Sequence, residues 1–116
     1  MEVHVRAHSG ILETRVIGRF DAHTVEAFTQ KVVEGVGPAT PTVALDLGAV
    51  EFMDSSALAA LVTTLKRSMQ HGGEVLIVAL SDTARIILEL TRLDEVFPRV
   101  DSFATARLRS AAPRAS

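Results

Sequence analysis

Asp54-Ser55-Ser56 is the run in this sequence best placed to do chemistry. It stands between a strand-like segment and the most regular helical pattern in the chain, where a helix N-terminus presents unpaired amide donors. Two readings of the run are open. In one, a serine caps the helix, the other bonds locally, and Asp54 complements the positive end of the helix dipole. In the other, a serine hydroxyl at the helix start carries a phosphate, whose charge the amides and the dipole tolerate. A phosphate of about −1.5 to −2 charge beside Asp54, on a chain whose net charge is −2, repels an acidic partner group. At ~6 Å and an effective dielectric of ~20, each added unit pair costs about 3 kcal/mol, and ~1.4 kcal/mol is already tenfold in affinity. Phosphorylation there would act as a binding switch.

The other chemistry-bearing residues point nowhere as specific. His4, His8, His23 and His71 lack the i, i+4 spacing of a zinc pair, so no metal is expected. The serines sit outside a Gly-x-Ser-x-Gly elbow and no histidine is placed as their base, which argues against a hydrolase, and no cofactor is expected. Gly72-Gly73 precedes a strand rather than opening a helix and reads as a turn. Phe52, Met53, Phe97 and Phe103 read as core or near-core packing. Phe20 and Val25, close to Asp21, have a second reading as exposed apolar contacts beside the switch.

The elements that must position Asp54-Ser55-Ser56 follow from periodicity. Residues 2–8 and 11–18 alternate, and Ser9-Gly10 between them reads as the turn of a β-hairpin. From Thr24 the period lengthens: Val25, Phe28, Val32 and Val36 predict a helix over 24–35, ended by Gly35, Gly37, Pro38 and Pro41. Residues 42–47 read as a third strand. Leu58, Leu61, Val62, Leu65 and Met69 predict a helix over 56–70 with those residues inward, stopped by Gly72-Gly73. Residues 74–80 read as a buried strand. Ser81-Asp82 caps a third helix with Ile86, Ile87, Leu90 and Leu93 inward. Residues 96–101 read as a last short strand and 102–110 as a last helix. Strands alternating with helices imply right-handed crossovers and parallel pairing, so the class is α/β, with the opening hairpin making the sheet mixed.

Composition narrows the function. At 116 residues one domain, over 1–110, is expected, with residues 111–116 a disordered tail. Absence of cysteine rules out disulfides and thiolate chemistry and permits a reducing compartment, with cytoplasm the default. The longest apolar run, over residues 75–80, is far short of the ~20 residues that span a bilayer, so no membrane insertion is expected. The opening Met1-Glu2-Val3-His4 shows no secretory signal. Twelve basic against fourteen acidic side chains, and aromatics that are all phenylalanine, speak against a nucleic-acid partner.

Phe52-Met53-Asp54-Ser55-Ser56, then Leu58, a helix, Gly72-Gly73-Glu74 and an apolar strand, resembles the STAS domain of bacterial anti-sigma factor antagonists. The likeness continues in Gly18-Arg19-Phe20-Asp21, the strand over 43–47, and Leu93-Asp94-Glu95-Val96-Phe97. It therefore spans nearly the whole chain. The resemblance implies a STAS-like mixed sheet with about four helices. It implies that Ser55 is phosphorylated by a partner that is both serine kinase and anti-sigma factor. It also implies that Asp21, Asp54, Ser55, Ser56, Ala57 and Leu58 form the partner surface. By the same resemblance the unphosphorylated protein binds the anti-sigma factor and frees the sigma factor, and a serine phosphatase resets the cycle, regulating transcription in stress response or sporulation. The expected state is monomer or weak dimer. One departure is visible: the family commonly has Gly-Leu-Gly after the two serines, where this chain has Ala57-Leu58-Ala59. An alternative with the same fold is a constitutive STAS subunit of a bacterial lipid-transport complex, in which Ser55 is only a cap.

Overall fold

A computed structural model describes residues 1–111, the side chain of Ala111 excepted; Ala111, expected to open the disordered tail, ends the last helix, and the rest of that tail, 112–116, lies outside the described residues. The chain opens with the expected hairpin, β1 (Glu2–His8) and β2 (Ile11–Phe20), paired antiparallel. Ser9 and Gly10 both take positive φ, 53° and 80°. Two such residues in succession match the right-handed twist of the flanking strands. β3 (Thr42–Met53) and β4 (Val75–Leu80) add in parallel, giving one four-stranded sheet in the order β1-β2-β3-β4.

Alternation divides the sheet into two faces. Leu12, Val16 and Phe20 of β2, with Val43, Leu45, Leu47, Val50 and Met53 of β3, form the front face and the main core. Three helical segments cover it. The first, α1 (Val25–Phe28), continues as a π-helical turn over Thr29–Val33, in which the Glu34 N–H reaches the Thr29 carbonyl at 3.0 Å. The wider turn buries Val33 together with the expected Phe28, Val32 and Val36. The second, α2 (Ser55–Gln70), ends where Gly72 takes φ +77°. Gly73 then passes so close to Pro41 that an added Cβ would stand 1.9 Å from its carbonyl oxygen. The third, α3 (Asp82–Leu90), is capped by Ser81, whose hydroxyl accepts the Ala84 N–H at 3.1 Å.

On the back face Ile11, Ala44 and Leu76 make a smaller cluster, covered by Ala106 and Phe103 of α4 (Phe103–Ala111). Two arginines fasten α4 to the strands. Arg107 grips Glu13 side-on through Nε and Nη2, Nη2 to Oε1 at 2.7 Å, and Arg109 grips Glu74 at 2.9 and 3.1 Å.

Four expectations about the elements are corrected. β3 runs six residues past Leu47, because the Asp46 carboxylate accepts the Gly48 N–H at 2.9 Å and carries the strand through an irregularity that reads in sequence as a break. In α2 the fully buried line is Ala57, Ala60, Leu61, Thr64 and Ser68, whereas Leu58, Val62 and Leu65 are half-buried and Met69 is 64% exposed. Small side chains face the core and the larger ones flank it. In α3 the buried residues are Ala84 and Leu88; Ile86 and Leu90, expected inward, are 47% and 80% exposed. The helix packs chiefly against β3 rather than β4, with Ala84 and Leu88 inward. Residues 96–101 form no strand. Pro98 lacks an N–H, and all that remains is a parallel bridge between Arg99 and Ile77, made through the Pro98 carbonyl and the Val100 N–H.

Candidate functional site

The site lies at the carboxyl ends of β2 and β3, where the chain passes into α1 and α2. The Asp54 N–H reaches the Phe20 carbonyl at 3.4 Å, the last link between these strands. Asp54 itself is extended, with φ −121° and ψ −173°, as an N-cap residue must be. Its Oδ1 accepts the N–H groups of Ser56 at 2.9 Å and Ala57 at 3.1 Å. Its Oδ2 accepts the Ala22 N–H at 3.0 Å. One carboxylate thus caps α2 and ties the loop after β2 to the start of that helix.

That arrangement assigns the cap, which one sequence reading gave to a serine. Asp54 is the cap, so neither serine is needed for it. Ser55 is the first residue of α2 and is exposed, with no hydrogen bond to its hydroxyl among the described residues; Ser56 and Leu58 are half-buried. The amides of Ser56 and Ala57, two of the donors that could cradle a phosphate on Ser55, are already held by Asp54. A charge added at Ser55 therefore stands in solvent beside a carboxylate.

Asp21 is placed differently from the expectation. Only 7% exposed, it turns inward and pins its own loop: Oδ1 accepts the His23 N–H at 3.0 Å, and Oδ2 accepts Arg19 Nε at 3.3 Å. Burial pushes the Asp21 carboxyl up, but the His23 amide, the Arg19 guanidinium and the Thr24 hydroxyl outweigh it and hold it below its ordinary value. Thr24 closes the loop by donating to the Arg19 carbonyl at 2.9 Å and accepting the Asp21 N–H at 2.9 Å. Ala57 is also wholly buried. Of the six residues expected at the partner surface, Ser55 is exposed, Asp54, Ser56 and Leu58 are partly so, and Asp21 and Ala57 shape that surface from beneath.

Two aromatic expectations change. Phe20 is fully buried with its ring centroid 4.7 Å from that of Phe28, so its reading as an exposed contact fails; Val25 is half-buried. Phe52, expected in the core, is 37% exposed. The Arg19 guanidinium lies 4.1 Å from its ring centroid, a cation–π contact between residues paired across β2 and β3. Sequence reasoning missed this pair. Alternation counted back from Met53 places Phe52 on the face opposite the core, which was the available signal.

The STAS domain family model matches residues 2–106. The chain belongs to the STAS domain family. Among curated relatives, an anti-sigma F factor antagonist of Paenibacillus polymyxa is 25% identical over 107 residues, which are 91% of this chain and 92% of that protein. The crystal structure of an anti-sigma factor antagonist from Mycobacterium paratuberculosis is similar with a TM-score of 0.77 and 29% identity, covering 94% of this chain and 92% of that one. The Bacillus cell fate determinant SpoIIAA in its phosphorylated form shares the fold, with a TM-score of 0.74 and 19% identity over 94% of this chain and 99% of its own. In this STAS domain no helix of the described residues is long and apolar enough to cross a membrane. No group of three or more His, Asp or Glu among those residues could hold a metal ion.

Proposed function

We propose that this STAS domain is a phosphorylation-switched anti-sigma factor antagonist acting in the cytoplasm. Unphosphorylated, it binds an anti-sigma factor that is also a serine kinase, and the sigma factor is released. Phosphorylation of Ser55 breaks the complex and a serine phosphatase restores it. The protein is a binding module and not an enzyme, working as a monomer or weak dimer. The names of its full-length relatives support the antagonist role.

The observation that carries the switch is the division of labour at the start of α2: Asp54 does the capping, so the exposed Ser55 hydroxyl is free to be modified without cost to the helix. A phosphate there adds about −1.5 to −2 charge next to the Asp54 carboxylate. At ~6 Å from an acidic partner group, each unit pair is worth about 3 kcal/mol at an effective dielectric of ~20, or some hundredfold in affinity. Exposed Ala22 and His23, in the loop that Asp54 holds, and exposed Ala59, one turn along α2 from Ser55, extend the contact area. Of the two alanines in Ala57-Leu58-Ala59, only Ala59 adds a methyl to this surface, because Ala57 points into the core.

The test is intact mass with site mapping on the protein taken from its own cells, in growing and stressed cultures, beside a Ser55→Ala control. The expected result is a single phosphate at Ser55 whose occupancy changes with condition. No phosphate under any condition would overturn the reading and favour a constitutive STAS subunit, and a phosphate that survives in Ser55→Ala would overturn the assignment of Ser55.

A further inference from the structure

The back face of the sheet carries a groove that the Ser55 site does not use. It is open, about 500 Å³ in volume, and lined by His4 and Arg6 of β1, Glu13, Arg15 and Ile17 of β2, and Phe103 and Arg107 of α4. That volume lies in the usual range for small-molecule sites, ~300–1,000 Å³. The strand residues alternate with Val3, Leu12 and Val16, which face the main core, so the groove opens on the side opposite α2. Register builds it: Arg6 lies across from Glu13 and His4 across from Arg15, while Phe103 and Arg107 sit one helical turn apart on α4.

Its charge runs against that of the chain. Three guanidiniums line the groove against one carboxylate, on a protein of net charge −2. Docking of α4 accounts for one of the three, since Arg107 is spent on the buried Glu13. Arg15 is held from one side by Asp46, Nε to Oδ2 at 3.1 Å, and its side chain is still 55% exposed. The charge of Arg6 favours the Glu13 carboxylate across the strands, yet no ion pair among the described residues holds Arg6 and it stays exposed. Half-buried Ile17 and Phe103 offer apolar surface in the same groove.

We infer that this groove binds a small organic anion, a carboxylate or phosphate joined to an apolar body. Arg6 and Arg15 take the charged head, and Ile17 and Phe103 take the body. A site on the opposite face of the sheet from Ser55 gives the protein an input separate from its phosphorylation.

The experiment is an amide NMR titration of the full chain with octanoate and, separately, phenyl phosphate, with octanol and phenol as uncharged controls. The expected result is saturable shifts for residues 4, 6, 13, 15, 17, 103 and 107 with at least one anion, and binding about tenfold weaker or worse for its uncharged counterpart. The Arg6→Gln/Arg15→Gln variant, altered only at exposed side chains and checked by its thermal melt, loses about tenfold or more in affinity. Saturation by octanoate alone assigns an aliphatic carboxylate, and by phenyl phosphate alone an aromatic phosphate. The inference is overturned by no saturable shift up to ~10 mM of either anion, which is weaker than ~3 kcal/mol of binding. It is equally overturned by shifts centred on Ser55, by unchanged affinity in the double variant, or by binding of hexaglutamate but of neither small anion.

Discussion

Replacing Asp54 by alanine removes three hydrogen bonds at once: the two that cap α2, from Ser56 and Ala57 at 2.9 and 3.1 Å, and the one that holds Ala22, at 3.0 Å. Loss of an N-cap costs ~0.5–2 kcal/mol, typically about 1. A hydrogen bond to a charged acceptor is worth about 1.5–3 kcal/mol, and the half-buried setting of Asp54 moves the Ala22 link to the low end of that range. The sum is about 2–3 kcal/mol. For a domain of this size that is a fall of roughly 10 °C in Tm, at about 4 °C per kcal/mol. Asp54→Asn separates the two contributions. Asparagine is as good a cap as aspartate but has only one acceptor oxygen, so it keeps the helix and loses the loop, at about 1.5 kcal/mol. Urea unfolding of the three proteins, with amide hydrogen exchange read at Ala22, His23 and Thr24, measures both parts. The expected order of stability is wild type, then Asn, then Ala, with Ala22 exchange faster in both variants. An alanine variant within ~0.5 kcal/mol of wild type, or an unchanged Ala22 amide in the asparagine variant, would refute the double role of this carboxylate.

Other substitutions test other parts of the structure. Ser55→Asp should leave stability within about 0.5 kcal/mol of wild type by urea unfolding, since the residue is exposed at the first position of α2, where a negative charge suits the helix dipole. Arg107→Ala should cost about 1–3 kcal/mol, because it strands the buried Glu13 carboxylate, and should speed amide exchange across α4. The hydrogen bond from Arg107, opposed by burial and helped by the charges of Arg107, His8 and Arg6, holds the Glu13 carboxyl below its ordinary 4.5. A carboxyl lowered in the folded state lends stability that is complete above 4.5 and is lost as pH falls through the lower folded value. An acid titration of the unfolding midpoint should therefore show a step below pH 4.5 that Glu13→Gln lacks. Ser68→Ala should be neutral or stabilising by up to about 1 kcal/mol, because its hydroxyl is buried without a hydrogen-bond partner among the described residues.

Much of the fold was legible because it is written locally. The positive-φ turn at Ser9-Gly10, the Ser81 cap and the Gly72-Gly73 stop each depend on a few adjacent residues, and each appears where the sequence places it. The faces of α2 and α3 were not legible in the same way. Periodicity picks out Leu58, Leu61, Val62, Leu65 and Met69; Leu61 is buried and Leu58 and Leu65 pack at the edge of the core, but Met69 is exposed and the core also takes Ala57, Ala60, Thr64 and Ser68. Periodicity reports that a helix has an apolar side; it does not report the rotation that its packing partner selects. The extension of β3 beyond Gly48 was hidden for a related reason. It depends on pairing with β2 as far as Phe20 and Met53, a contact between residues 33 apart in the chain.

The candidate site divides along the same line. Ser55 at the first turn of α2 and Asp54 beside it follow from a contiguous motif, and their geometry was open to local reasoning. Asp21 is placed on the surface by the family resemblance alone. Its carboxylate is drawn inward by the His23 amide and Arg19, which outweigh the cost of burying it. The loop it pins is the one whose Ala22 amide Asp54 holds. Two acidic residues, one interior and one at the helix start, thus fix the relative position of the β2–α1 loop and the N-terminus of α2 by accepting backbone amides on their carboxylates. A rim fixed in this way need not rearrange when Ser55 gains charge. The consequence is that a phosphate there would change what the surface repels rather than the shape it presents, which is what a reversible switch on a small domain requires.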